Sequence, residues 1–227
     1  MAKYTKAKIF NMALKNLGVS VGVQGANQGD RNTVVLDEFY ETAKEKTLTD
    51  HDWGFASTFR ELTPTGNTSQ HPKYMYEYDY PNNCLFVREV YLFGGDRKIE
   101  NSQDERISFY NMAALHYDNE DAEETKRKNF VVASDDSGKR IIYTDVQPAV
   151  ARFTRLVGEE TYYTPEFAMA LSWYLAFLAA PSITGARVKT SDCLQIYRQM
   201  LKEGKTADAN EGLNEEDNEC DWIKARD

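Results

Sequence analysis

The sequence predicts an α+β chain whose terminal helices form a small bundle packed with a short antiparallel sheet. Three observations lead there. Apolar residues recur at helical spacing near both ends, the period falls to two from about residue 73, and turn-forming residues punctuate that middle stretch. Of the 227 residues, 41% are hydrophobic and 12% aromatic, which supplies a core and argues against wholesale disorder.

The first helix is expected over 5–17. Thr5 is placed to cap it, Ile9, Phe10, Ala13, Leu14 and Leu17 share one face, and Gly18 follows where a chain reversal belongs. A Gly-punctuated loop comes next. The second helix is expected over 30–49, with Asp30 as cap and Val35, Leu36, Phe39, Tyr40, Ala43 and Thr47 along one face. On its other face Glu41 repels Glu45 and is compensated by Lys44. Trp53, Phe55 and Phe59 crowd the end of this helix and read as core anchors in preference to a ligand platform.

Strands are expected from about 73 to 157. Tyr74, Tyr76, Tyr78 and Tyr80 alternate with Met75, Glu77 and Asp79, giving one tyrosine face. Pro81-Asn82-Asn83 is a turn, and 85–93 is a second strand ended by Gly94-Gly95-Asp96. The acidic run at 118–124 has no fixed ligand spacing and reads as a solvated loop. Residues 129–133 and 140–144 flank Asp135-Asp136-Ser137-Gly138 as a hairpin, and a further strand is expected over 150–157.

The last third returns to helix. Thr164-Pro165-Glu166 supplies a cap, a first-turn proline and an acidic first turn for a helix over 164–180. This helix is apolar almost all round, so it belongs in the core or under a neighbouring subunit. Its apolar stretch, 167–181, is about 15 residues, is expected to stop at Pro181, and is shorter than the roughly 20 needed to span a membrane. A final helix over 186–203 is closed by Gly204, and 205–227 is expected to be a flexible acidic tail outside the 1–204 domain. The isolated Trp222-Ile223 pair there reads either as a partner-docking element or as part of a loose terminus.

The formal net charge is −9, with no basic block or stripe, so phosphate-gripping nucleic-acid recognition is not expected. Cys84, Cys193 and Cys220 are far apart and lack zinc-type spacing. His51, His71 and His116 form no metal motif, and neither a nucleophile elbow nor a phosphate loop occurs. His51-Asp52 is adjacent in sequence and so is not a dyad by itself. Glu159 and Glu160 are the carboxylates that could serve glycoside hydrolysis, but solvated surface is the ordinary place for each. No catalytic residue, metal ligand or cofactor is assigned. The 14 tyrosines suit either interfaces or ordinary strand positions.

Several motifs occur in an order that resembles the head-to-tail adaptor, or tail tubular protein A, family of short-tailed phages. They are Leu17-Gly18, Trp53-Gly54-Phe55-Ala56, the stretch Tyr80-Pro81-Asn82-Asn83-Cys84-Leu85-Phe86-Val87, Ile141-Ile142-Tyr143-Thr144, Tyr163-Thr164-Pro165-Glu166-Phe167, and Pro181-Ser182-Ile183-Thr184. The likeness covers roughly 5–204. The family has Leu where Tyr80 stands and Asp where Asn83 stands, and it lacks the acidic tail. The resemblance implies a structural ring of about twelve copies joining portal protein to tail nozzle, made in the host cytoplasm and carried in the virion. Packaged DNA would pass an acidic lumen without specific binding. Tyr174, Phe177, Trp222 and Ile223 are the expected contacts to portal or sister copies. The competing expectation is a tail-associated peptidoglycan hydrolase using surplus carboxylates.

Overall fold

The computed structural model describes residues 4–19, 30–93, 127–185 and 187–211. Its architecture is mixed α+β. The chain divides into two compact units, Met1–Gly54 with Glu159–Asp227, and Phe55–Gly158, where the sequence led to one domain over 1–204. The acidic run at 118–124, His116, Cys220, Trp222 and Ile223 lie outside the described residues.

The first unit is helical. Helix α1 is Lys6–Asn16, and Thr5 in extended backbone accepts from the Lys8 amide. Helix α2 is Arg31–Asp50, where Asp30 accepts from the Asn32 amide. Both caps stand at the expected residues, because a short oxygen-bearing side chain satisfies otherwise orphaned first-turn amides. Glu41 and Lys44 pair at 2.5 Å as their spacing requires. Helix α3 is Pro165–Thr184, capped by Thr164 with Pro165 in the first turn. Helix α4 is Arg187–Glu211.

Two sequence expectations change here. Pro181 does not stop α3: it lies inside the last turn, and the helix runs on to Thr184, where Gly185 reverses the chain at φ 66°. Nine α3 side chains are buried, which outweighs the hydrogen bond that proline forfeits. At 20 residues, α3 is also the one helix among the described residues that is long and apolar enough to cross a membrane, and half of that stretch is buried inside the structure. Gly204 does not end α4 either. The helix passes through it for seven further residues, so 205–211, expected as flexible tail, are helical.

The second unit is two three-stranded antiparallel sheets in place of the single sheet expected. Strands β1 (Ser57–Glu61), β6 (Ala149–Arg155) and β3 (Cys84–Leu92) pair in the order β1-β6-β3. Strands β2 (Tyr76–Asp79), β5 (Arg140–Thr144) and β4 (Phe130–Ser134) pair as β2-β5-β4. The hairpin between β4 and β5 is the one expected, with the Asp135 side chain accepting from the Ser137 and Lys139 amides and Gly138 at φ 82°. Strand β1 was not foreseen. Leu62, Tyr78, Cys84, Val87, Val90, Ile142, Ala149, Ala151 and Phe153 form one core drawn from both sheets.

The expected single tyrosine face splits between two clusters. Tyr76, Tyr78 and Tyr80 pack on that shared core. Tyr74 instead joins Ile141 and Tyr143 in a second cluster. Tyr74 precedes the start of β2, so the strand alternation does not carry back to it.

Candidate functional site

In the helical unit, chemistry-bearing side chains gather where α2 ends. His51 follows the last residue of α2 with extended backbone, which turns its ring toward α4. Its Nε2 lies 2.6 Å from Asp208 Oδ2, with both side chains mostly covered. The imidazole edge meets the Trp53 ring at 4.7 Å between centroids. Trp53 is fully buried, donates from Nε1 to the Thr47 carbonyl at 2.8 Å, and packs edge-on to Phe167 at 5.2 Å. Gly204 makes room for it: a Cβ there would stand 2.8 Å from the indole Cη2. This arrangement fastens the last turns of α4 to α2. Sequence reasoning rejected His51-Asp52 as a dyad and missed the true partner, which lies 157 positions away.

Tyrosines supply the rest of the polar interior. Tyr197 donates to Asp50 at 2.8 Å, and burial followed by that bond pushes its hydroxyl far above the ordinary phenol range. Tyr40 donates to Glu160 at 3.0 Å. Burial, with Tyr163 and Glu160 beside it, likewise holds the Tyr40 hydroxyl protonated, and burial does the same for Tyr163. Glu160 is therefore half-buried and engaged as an acceptor, while Glu159 is exposed and accepts from the Thr161 hydroxyl. The two carboxylates are thus in different surroundings. Among the described residues, no group of three or more His, Cys, Asp and Glu could hold a metal ion.

Of the expected contact residues, Tyr174 and Phe177 are brought together on α3, with ring centroids 5.5 Å apart, and both are half-buried. Tyr174 also stacks on Tyr197 of α4 at 4.8 Å, so part of its ring serves packing within the chain. Met169, earlier on α3, is 42% exposed, and Val34 on α2 is 57% exposed.

Among its described residues, the sheet unit holds a buried charge cluster around Glu89. Glu89 on β3 is 9% exposed and accepts from the Tyr91 hydroxyl, from Arg152 at 3.2 Å and from Arg127 at 2.7 Å. Arg152 also donates to Ser57 at 3.1 Å, tying β1 to β6. Burial opposes ionisation of Glu89, but the Tyr91 hydroxyl and the two arginines outweigh it and hold the carboxyl below its usual range. Across the core, the stretch 80–87 links the two sheets. Asn83 adopts φ 61° in its turn, its carbonyl accepts from the Leu156 amide at 2.8 Å, and Arg140 covers the Tyr80 ring at 3.7 Å while donating to its hydroxyl.

No protein-family model matches the chain, and no curated protein matches it.

Proposed function

We propose that the chain is a structural subunit of a phage head-to-tail adaptor ring that joins portal protein to the tail and surrounds the DNA path. The observation that carries this reading is the ordered set of motifs from Leu17-Gly18 to Pro181-Ser182-Ile183-Thr184, whose members hold structural positions. Leu17-Gly18 ends α1, the Tyr80–Val87 stretch crosses from one sheet to the other, and Thr164-Pro165-Glu166 opens the buried helix. The half-exposed Tyr174-Phe177 pair on α3 suits burial by a sister copy. Side-to-side contacts of unlike surfaces close into a ring when the rotation allows, here about twelve copies. The net charge of −9 suits a channel wall that repels DNA.

Negative-stain imaging of the protein mixed with purified portal rings tests the reading, and added density at one face of the portal is the expected result. Protein that never joins the portal overturns it. Truncation after Glu211, the described end of α4, removes Trp222 and Ile223 and is expected to weaken portal capture in a pull-down. A cell-wall turbidity assay distinguishes the hydrolase alternative: clearing by wild type that is lost in Glu160→Gln would replace the structural reading with an enzymatic one.

A further inference from the structure

We infer that β4 is a docking edge for the same strand of a second copy of this chain, the two pairing antiparallel about Val132. In the sheet β2-β5-β4 the outer strands are β2 and β4. Along β2, the segment 63–65 takes the place of a further strand. The Thr65 amide donates to the Glu77 carbonyl at 3.1 Å, the Asp79 amide donates to the Thr63 carbonyl at 2.9 Å, and Pro64 bridges Tyr78. Among the described residues, β4 has β5 on one side and no strand on the other. Residues of an antiparallel strand alternate between exchanging bonds with the neighbour and pointing away from it. The Asp135 amide donates inward to the Lys139 carbonyl at 2.9 Å, and the Lys128 amide donates outward to the Val90 carbonyl of β3 at 2.8 Å. Val131 and Ala133 therefore belong to the inward set, opposite Tyr143 and Ile141. Phe130, Val132 and Ser134 belong to the outward set, so their N–H and C=O groups face away from β5.

Native sheets guard such an edge with charge, proline or a bulge. The other outer strands are guarded in this way: β1 carries Arg60 and Glu61, β2 carries Glu77 and Asp79, and β3 carries Arg88 and Glu89 with two register shifts. By contrast, β4 reads Phe-Val-Val-Ala-Ser, without charge or proline, and its register with β5 is unbroken. Val131 and Val132, on opposite faces of the strand, are each 37% exposed. An edge of that composition is completed by another strand. Its own symmetry names the occupant. Turned antiparallel on itself about Val132, β4 sets Val132 opposite Val132, Val131 opposite Ala133, and Phe130 opposite Ser134 of the second copy. No charge meets a like charge, and outward groups face outward groups. Each outward pair exchanges two bonds, about six in all, whereas a one-residue slip would set outward groups against inward ones. The result is a continuous sheet of two copies, β2-β5-β4-β4-β5-β2. A strand of five residues gives a small interface, so pairing is expected at about 0.1–1 mM protein. The contact is isologous and belongs to the sheet unit, unlike the side-to-side contacts that close a ring.

Amide exchange in the isotope-labelled full chain tests the pairing residue by residue. Raising the protein to about 1 mM is expected to slow exchange at Phe130, Val132 and Ser134, and to leave Val131 and Ala133, already bonded to β5, unchanged. Sedimentation should report a monomer–dimer equilibrium over the same range. Val132→Pro removes an outward N–H without touching the ladder to β5, and Val132→Lys sets like charges face to face at the symmetry axis. Each is expected to weaken association about tenfold or more with the circular dichroism of wild type, while Val132→Thr should leave association intact. Should the proline perturb the fold, the lysine variant decides. A chain that stays monomeric at about 1 mM, outward amides that stay unprotected there, or a dimer that Val132→Lys leaves intact would each overturn the inference. None of these measurements involves portal protein, and the inference does not rest on the adaptor reading, so either can fail alone.

Discussion

Replacing Gly204 with Ala tests whether close packing, and not helix termination, selects glycine at that position. Gly204 lies in the interior of α4, so on helix propensity alone Ala should stabilise by about 1 kcal/mol. The added Cβ would meet the Trp53 indole at 2.8 and 2.9 Å, closer than non-bonded carbon atoms tolerate. The indole cannot retreat cheaply. It is fully buried, held by its bond to the Thr47 carbonyl and wedged against Phe167. Overpacking of this kind costs about 1–3 kcal/mol and, with a rigid ring as the obstacle, falls at the upper end. Subtracting the propensity gain leaves a net loss of about 1–2 kcal/mol. Urea unfolding followed by circular dichroism measures it. The same substitution in a Trp53→Phe background should be neutral or stabilising, because the clashing ring edge is gone. The resulting coupling energy is the decisive quantity. A Gly204→Ala protein at least as stable as wild type, with no coupling to Trp53, would refute the steric account.

Glu89→Gln should destabilise by about 3 kcal/mol at neutral pH, since it leaves Arg152 half-buried without its counter-charge. Because the folded Glu89 carboxyl sits below its usual value, this stabilisation is present above the unfolded carboxylate pKa of about 4.3. It is lost as pH falls through the lower, folded value. Stability curves of the variant and wild type should therefore converge in acid, and a gap that persists there would contradict the cluster. Tyr78 and Tyr91 are pushed up to about 12, burial being the leading cause for each. Both are raised above the unfolded phenol value of about 10, so their contribution is intact below that pH and is lost as pH rises toward 12. Alkaline ultraviolet titration should show a late-titrating class of tyrosines that becomes ordinary on unfolding in denaturant. Asn83→Val should cost about 1–3 kcal/mol, because a β-branched residue at φ 61° is strained, while Asn83→Gly should be nearly neutral. Thermal melts of the two variants compare them, and equal losses would rule out backbone strain as the cause.

The sequence by itself determined the features whose physics is local. Thr5, Asp30 and Thr164 begin helices because their side chains satisfy amides two or three residues away. The Asp135–Gly138 turn forms because one carboxylate and one glycine fix it within four residues. Glu41 and Lys44 meet because helix geometry puts them side by side. Tertiary structure decided whatever depends on partners distant in the chain. Ser57–Glu61 lacks a clear alternation of its own and becomes a strand by pairing with Ala149–Arg155. Pro181 and Gly204 read as terminators because their intrinsic preferences break helices, yet the burial of α3 outweighs one and the Trp53 ring requires the other. His51 finds Asp208 across 157 positions, and Glu89 collects Arg127 and Arg152 from two different segments. A contact between residues far apart in the chain leaves no periodic trace in the sequence, since its energy depends on coordinates that exist only once the chain has folded.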